Sequence, residues 1–141
     1  MHVNRGRVWL GGIAGGVVWT IWSFLIGHFV ITDARYVAAQ NAGLFLKVPR
    51  YHYFAVQWIV MLFVLAIVMA HLYVWMRQTL GAGPGTALKV GFWVGFVASF
   101  PLNFAQATWF TGSRAFPFGW MIEMWLGAIL AALVAGFFYK E

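Results

Sequence analysis

Cysteine is absent from this 141-residue chain, and acid nearly so: Asp33, Glu123 and Glu141 carry its only side-chain carboxylates. The first absence excludes disulfides, thiol catalysis and thiolate-held metal or iron–sulfur centres. The second excludes intramembrane proteolysis by an aspartate pair, because Asp33 has no second Asp to work with. Charged residues make up only 9% of the chain, against about 25% in an ordinary soluble domain. That leaves too little polar surface for a water-soluble globule. The formal charge is +6, but the nine Lys and Arg residues sit at the ends of apolar runs. No basic stripe with interleaved aromatics is present, so membrane lipid headgroups suit these charges and a nucleic-acid partner does not.

What the chain does contain is four long apolar runs, at residues 8–31, 53–76, 87–110 and 118–139. Each is near the ~20 residues a helix needs to cross a bilayer. In hydrocarbon each must be helical, since an unpaired backbone group there costs several kcal/mol. The expected fold is therefore all-α: a single membrane domain over residues 1–141, built as a four-transmembrane-helix bundle. The basic start, Met1 to Arg7, raises the question of a signal peptide. The run that follows exceeds the usual 7–15 residues of a cleavable core and reads as a retained helix. Thr32 and Asp33 end it, and residues 33–43 read as a short interfacial helix with Asp33 as N-cap and Gly43 as its stop. The turn at residues 81–86 lacks the Gly-Lys-Ser/Thr of a phosphate loop, and Thr86 is placed to cap the third span. Pro101 is expected to kink that span, whereas Pro117 fits the first turn of the fourth.

Four crossings put both ends of the chain on one side. That side carries Arg5, Arg7, Arg77, Lys89 and Lys140, and the other carries Arg35, Lys47, Arg50 and Arg114. The basic pair ahead of the first span points to cytoplasmic termini. Trp9, Trp75, Trp109 and Trp120 fall at predicted span ends, where indoles anchor at the headgroup level.

Lipid tails are as apolar as leucine, so close backbone approach and interhelical hydrogen bonds must hold such spans together. The first span carries Gly12, Gly16, Thr20, Ser23 and Gly27 at helical spacing, widened by Gly11 and Gly15. The fourth carries Gly127, Ala131 and Ala135, with Ala128, Ala132 and Gly136 beside them; the third adds Gly91 and Gly95. These three spans are expected to pack through those faces. The second, built of large apolar residues, is expected to sit at the periphery or against a partner.

Glu123 is the one acid inside a span, on the same helical face as Gly127 and Ala131. It is therefore expected to point into the bundle. Ser99, Asn103 and Gln106 line one face of the third span, and Gln57 enters from the second at similar depth. Together they outline a polar pocket, read either as an ion or proton site or as a hydrogen-bond cluster that fixes helix rotation. Of the histidines, His28 and His52 lie near the same interface and are weak metal candidates. No His-x-x-x-His or Glu-x-x-His pair supports them, and His71 has no mate for a transmembrane haem. Neither a cofactor nor a resident metal is expected. Ser23, Ser99 and Ser113 lack a nucleophile-elbow context, so no catalytic residue is assigned.

Residues 4–15, the glycine-rich hairpin at 81–87 and Glu123 followed by small residues are similar to a group of bacterial four-helix membrane proteins with no established activity. The resemblance implies a multi-pass protein of the bacterial inner membrane and supplies no catalytic residues. The leading functional expectation is a non-enzymatic accessory or scaffolding component, in a homo-oligomer or larger membrane complex. The alternative is a small ion- or proton-coupled transporter working through Glu123, and the third is a metal or haem redox subunit.

Overall fold

The computed structural model describes residues 3–139, so Met1 and Lys140, used above for charge at the ends, lie outside the described residues. The described chain forms five α-helices: α1 Arg5–Ile26, α2 Asp33–Asn41, α3 Phe54–Leu80, α4 Pro84–Trp109 and α5 Ala115–Phe138. A π-helical turn, Gly27–Ile31, continues α1. Four of these elements are long and apolar enough to cross a membrane, and α2 is the short helix expected between the first two. The protein is a four-transmembrane-helix bundle.

Helix ends follow local chemistry, with two departures from the sequence reading. Thr32, rather than Asp33, caps α2: its hydroxyl accepts from the Arg35 backbone N–H at 3.4 Å. Asp33 instead lies in the first turn, where its charge favours the helix dipole. Thr86 does not cap α4 either. It lies inside the first turn and its hydroxyl donates back to Gly81 O at 2.8 Å, tying the hairpin to the end of α3. Gly43 follows α2 with φ +74, the left-handed backbone that ends a helix without strain when no Cβ is present. Pro101 lies within a continuous α4 and Pro117 is buried in the first turn of α5.

α5 is the hub, touching α1, α3 and α4, whereas α1 and α4 do not touch each other. The reason is backbone proximity at small residues. A Cβ on Gly11 would lie 3.0 Å from Ala135 Cα, and one on Gly15 3.2 Å from Ala131 O. Across the other interface, a Cβ on Gly91 would collide with Ile129 Cα, and one on Gly95 would lie 2.9 Å from Trp125 O. The three glycine-bearing spans thus pack through those faces, with α5 as the shared partner of α1 and α4.

The second span, expected at the periphery or against a partner, packs on α1 and α5. Gly12 and Gly16 form notches on α1 that Ile67 and Phe63 of α3 fill, with Ile67 Cα 2.8 Å from where a Gly12 Cβ would stand. Large side chains on one helix complement missing ones on the other. Leu62, Ala66, Met69, Ala70, Tyr73 and Val74 are consequently buried, and the first of them is the ninth residue of α3. Its first two turns bury no residue completely.

Candidate functional site

Where α3 stops packing, a cavity begins. It has a volume of about 500 Å³ and lies between the first turns of α3, the last turns of α4, the N-terminal half of α5 and the π-helical turn. Phe54 and Trp58 line it from α3, and Ala98, Leu102, Asn103 and Gln106 from α4. Glu123 lines it from α5, with its residue only 4% exposed. At 1.5 Å per residue, Glu123 stands about 12 Å along α5 from its start, inside the apolar span rather than at its rim.

The carboxylate is held by fixed donors. Ser23 Oγ and Trp58 Nε1 both donate to Glu123 Oε1, the latter at 3.1 Å, and Trp58 also reaches Ser23 Oγ at 3.3 Å. Trp19 Nε1 donates to the backbone carbonyl of Glu123 at 3.2 Å, and Trp22 Nε1 to that of Ile122 at 3.2 Å. Two indoles from α1 thus fix the register of α5 at the carboxylate, while a third, from α3, grips the side chain itself. The Trp19 ring fits only because residue 127 is glycine, for any Cβ there would strike the indole. Packing and site are joined at that point.

Asn103 is buried and donates from Nδ2 to Ser99 O at 2.8 Å; Ser99 in turn donates to Gly95 O at 2.6 Å. These bonds brace α4 around Pro101, whose missing N–H removes a backbone donor there. Of the five pocket residues expected from the sequence, Glu123, Asn103 and Gln106 line one cavity. Ser99 is fully buried one turn deeper and does not line it, and Gln57 is exposed on another face of α3. Gln57 leaves the constellation because its neighbour Trp58 occupies the inward position at that level.

The wall facing α2 is aromatic. Tyr36 and Trp120 both line the cavity, and Phe116 packs against them with ring centroids 5.2 and 5.7 Å away. Phe45 meets Phe116 edge-on at 4.8 Å and also contacts Tyr36 and Trp120. Trp120, expected as an interfacial anchor, is therefore a cavity wall, while Trp9, Trp75 and Trp109 are more than half exposed near helix ends. Burial raises the Tyr36 phenol above its ordinary range; the Trp120 hydrogen bond opposes this, and the nearby Glu123 charge adds to the rise. α2 reaches the cavity through an unusual joint. Thr32, a β-branched residue, adopts φ +62, a strained conformation costing about 1–3 kcal/mol. Arg35 steadies the joint by donating to the Val30 carbonyl. Ile31 docks on Gly119 of α5, where a Cβ would lie 2.7 Å from Ile31 Cγ1.

Among the described residues no Lys, Arg or His lines the cavity. Arg114 is exposed at the start of α5, outside the cavity lining. His28 and His52 are exposed, and His28 packs its ring on Phe29 at 4.8 Å. His71 Nδ1 lies 2.8 Å from Ile67 O, in the other half of the bundle. Among the described residues no three His, Cys, Asp or Glu side chains gather as a metal site requires.

The small-residue stripe on α1 serves two partners and then runs out. Gly12 and Gly16 meet α3, Ser23 bonds Glu123, and Thr20 bonds its own Gly16 carbonyl at 2.7 Å. A Cβ on Gly27 would meet nothing within 4 Å, so this glycine is not a packing contact but a wall of the cavity. On α5, Gly127, Ala131 and Ala135 are all buried against α1. Ser23 was legible as small; that it donates to the acid was not. Trp58, Tyr36 and Trp120 carried no polar-residue signal, and only the depth of Trp58 beside Gln57 pointed to them.

No protein-family model, curated protein or solved structure matches this chain.

Proposed function

We propose that the protein is a small transporter of the ion- or proton-coupled class, with Glu123 as the group that exchanges its bound ion. The observation that carries this reading is a buried carboxylate facing a cavity of about 500 Å³ inside a membrane span, with no basic side chain in the lining. An acid that only fixed helix rotation would have its neighbours closed around it. Here Ser23 and Trp58 hold one oxygen, and the cavity remains beside the group. Intramembrane acids that line cavities mark ion and substrate pathways.

The accessory-subunit expectation rested on packing faces, interfacial aromatics and a poor catalytic inventory, and the first of these has another reading. The glycine and alanine faces that suggested a partner are occupied by this chain's own helices at Gly11, Gly12, Gly15, Gly16, Gly91 and Gly95. The multi-pass protein is assigned to a bacterial inner membrane with its ends in the cytoplasm. Arg5 and Arg7 in the first turn of α1 support that orientation, which puts the cavity in the outer half of the bilayer.

The test is proton flux in liposomes. Reconstituted protein is expected to dissipate an imposed pH gradient faster than empty vesicles, and Glu123→Gln is expected to match the empty vesicles. Equal flux by the variant and the natural protein rejects the reading.

A further inference from the structure

We infer that the Glu123 cavity takes an apolar organic cation, such as an alkylammonium or phosphonium ion, drawn from the lipid leaflet on the α2 side. The inference rests on the transport reading and gives its substrate class. Three independent features of the cavity converge on that chemistry.

The first is charge. Among the described residues, Glu123 is the only acid or base that lines the cavity, apart from the weakly acidic Tyr36 phenol. With no counter-cation in the wall, a positive ligand is the partner that satisfies a carboxylate in an apolar medium. The second is the surface the ligand would meet. Trp58, Trp120, Tyr36 and Phe54 supply four aromatic rings, whose faces attract a cation, most strongly when water is excluded. A bare metal ion fits this wall poorly, because hard cations demand six or so oxygen ligands at short range. The volume also far exceeds what one ion fills. The third is access. Leu102 is 64% exposed and Phe54 51% exposed, yet both line the cavity. The cavity therefore opens on the side of the bundle between α3 and α4, where lipid lies, and an amphiphile can enter without crossing an aqueous gate.

The ligand's charge would sit at Glu123 Oε2, because Oε1 already accepts from Ser23 and Trp58. Its apolar body would lie towards Leu102 and Met124.

The experiment is equilibrium dialysis of the full chain in zwitterionic nanodiscs with two probes of matched shape and opposite charge, tetraphenylphosphonium and tetraphenylborate, corrected for empty discs. Saturable phosphonium binding is expected, at least about tenfold tighter than that of the borate. Leu102→Trp fills the cavity mouth while sparing the carboxylate, and is expected to weaken phosphonium binding about tenfold or more. Val97→Trp, on an exposed position of α4 outside the cavity, is expected to leave it unchanged. Glu123→Gln is expected to abolish the preference for positive charge. Equal binding of both probes, tighter borate binding, or indifference to Leu102→Trp overturns the inference, and none of these needs the Glu123 variant to fold. If Glu123-dependent proton flux persists while the phosphonium preference is missing, the ligand class is wrong and the transport reading stands. Selective phosphonium binding without flux supports the ligand class and rejects transport.

Discussion

The two halves of this bundle are built from the same four spans but solve different problems. In the half that holds the chain ends, Gly11, Gly12, Gly15 and Gly16 of α1 let Ala135, Ala131, Ile67 and Phe63 approach to contact distance. Large residues of α3 fill what the glycines leave open, and a core running from Val8 to Tyr139 is buried there, flanked by hollows of about 370 Å³ beside Met76 and Val90 and about 430 Å³ beside Val8 and His71. In the other half α3 buries nothing completely before Leu62, and a cavity stands where its side chains would have interlocked. The first half is held by shape, which is the force available when lipid offers no hydrophobic gain on association. The open half is held by directed bonds from Ser23, Trp58, Trp19 and Trp22 to one stretch of α5. Shape packs the helices in one half; in the other a few fixed donors position a carboxylate while leaving space beside it.

Substitutions can break that contrast. The largest effect is expected from Gly91→Ala, since the new methyl strikes the Ile129 backbone and only helix separation relieves it. A loss of about 1–3 kcal/mol is expected, read as earlier unfolding in a detergent titration. Ser23→Ala removes one donor to Glu123 in the open half. It is expected to cost only about 0.6 kcal/mol of stability, the mean for such bonds in membranes, while altering the pH dependence of flux. A stability loss as large as that of Gly91→Ala would show that the bond is structural before it is functional. Gly27→Ala sharpens the comparison further. It continues the stripe of Gly12 and Gly16 but has nothing within 4 Å of its absent Cβ. Its unfolding midpoint is therefore expected to stay within about 0.5 kcal/mol of the natural protein, where Gly16→Ala, against the Phe63 ring, is not.

The smallest effect concerns Tyr36. Its raised ionisation means that the folded state favours the neutral phenol. The associated stability is fully present below the ordinary tyrosine value of about 10 and is lost as pH rises from there through the raised folded value. A phenolate absorbance titration should show a late-ionising component that Tyr36→Phe removes. Unchanged curves would place Tyr36 away from the cavity wall.

Much of this architecture is written in hydropathy. Four spans, the helix between the first two and an inward-facing Glu123 follow from run length and from the phase of Gly127 and Ala131. What eluded the sequence was complementarity. A stripe of glycine announces close approach but not by whom, so Phe63 and Ile67 of a helix without glycine were not foreseen as its partners. The pocket was sought among amides, and Gln57 was included because depth is easy to read and rotation within one apolar helix is not. Its walls are largely aromatic, and Trp58 and Trp120 look in sequence like any interfacial indoles. The strained Thr32 and the π-helical turn before it, which bring Ile31 and Tyr36 to the site, have no periodic signature.

The chain's lack of cysteine permits the most direct test of an accessible, acidic cavity, because a single introduced thiol is the only one present. Ala98→Cys places it on the cavity wall, and Ala131→Cys places it in the closed core. In proteoliposomes, a positively charged methanethiosulfonate is predicted to modify residue 98 about tenfold faster than a negatively charged one, as a cleft of one sign focuses its counter-ions. That preference should vanish when Glu123→Gln is added, and residue 131 should resist both reagents. Equal rates at residue 98 with Glu123 intact, or no reaction there at all, would contradict a carboxylate working in an open cavity.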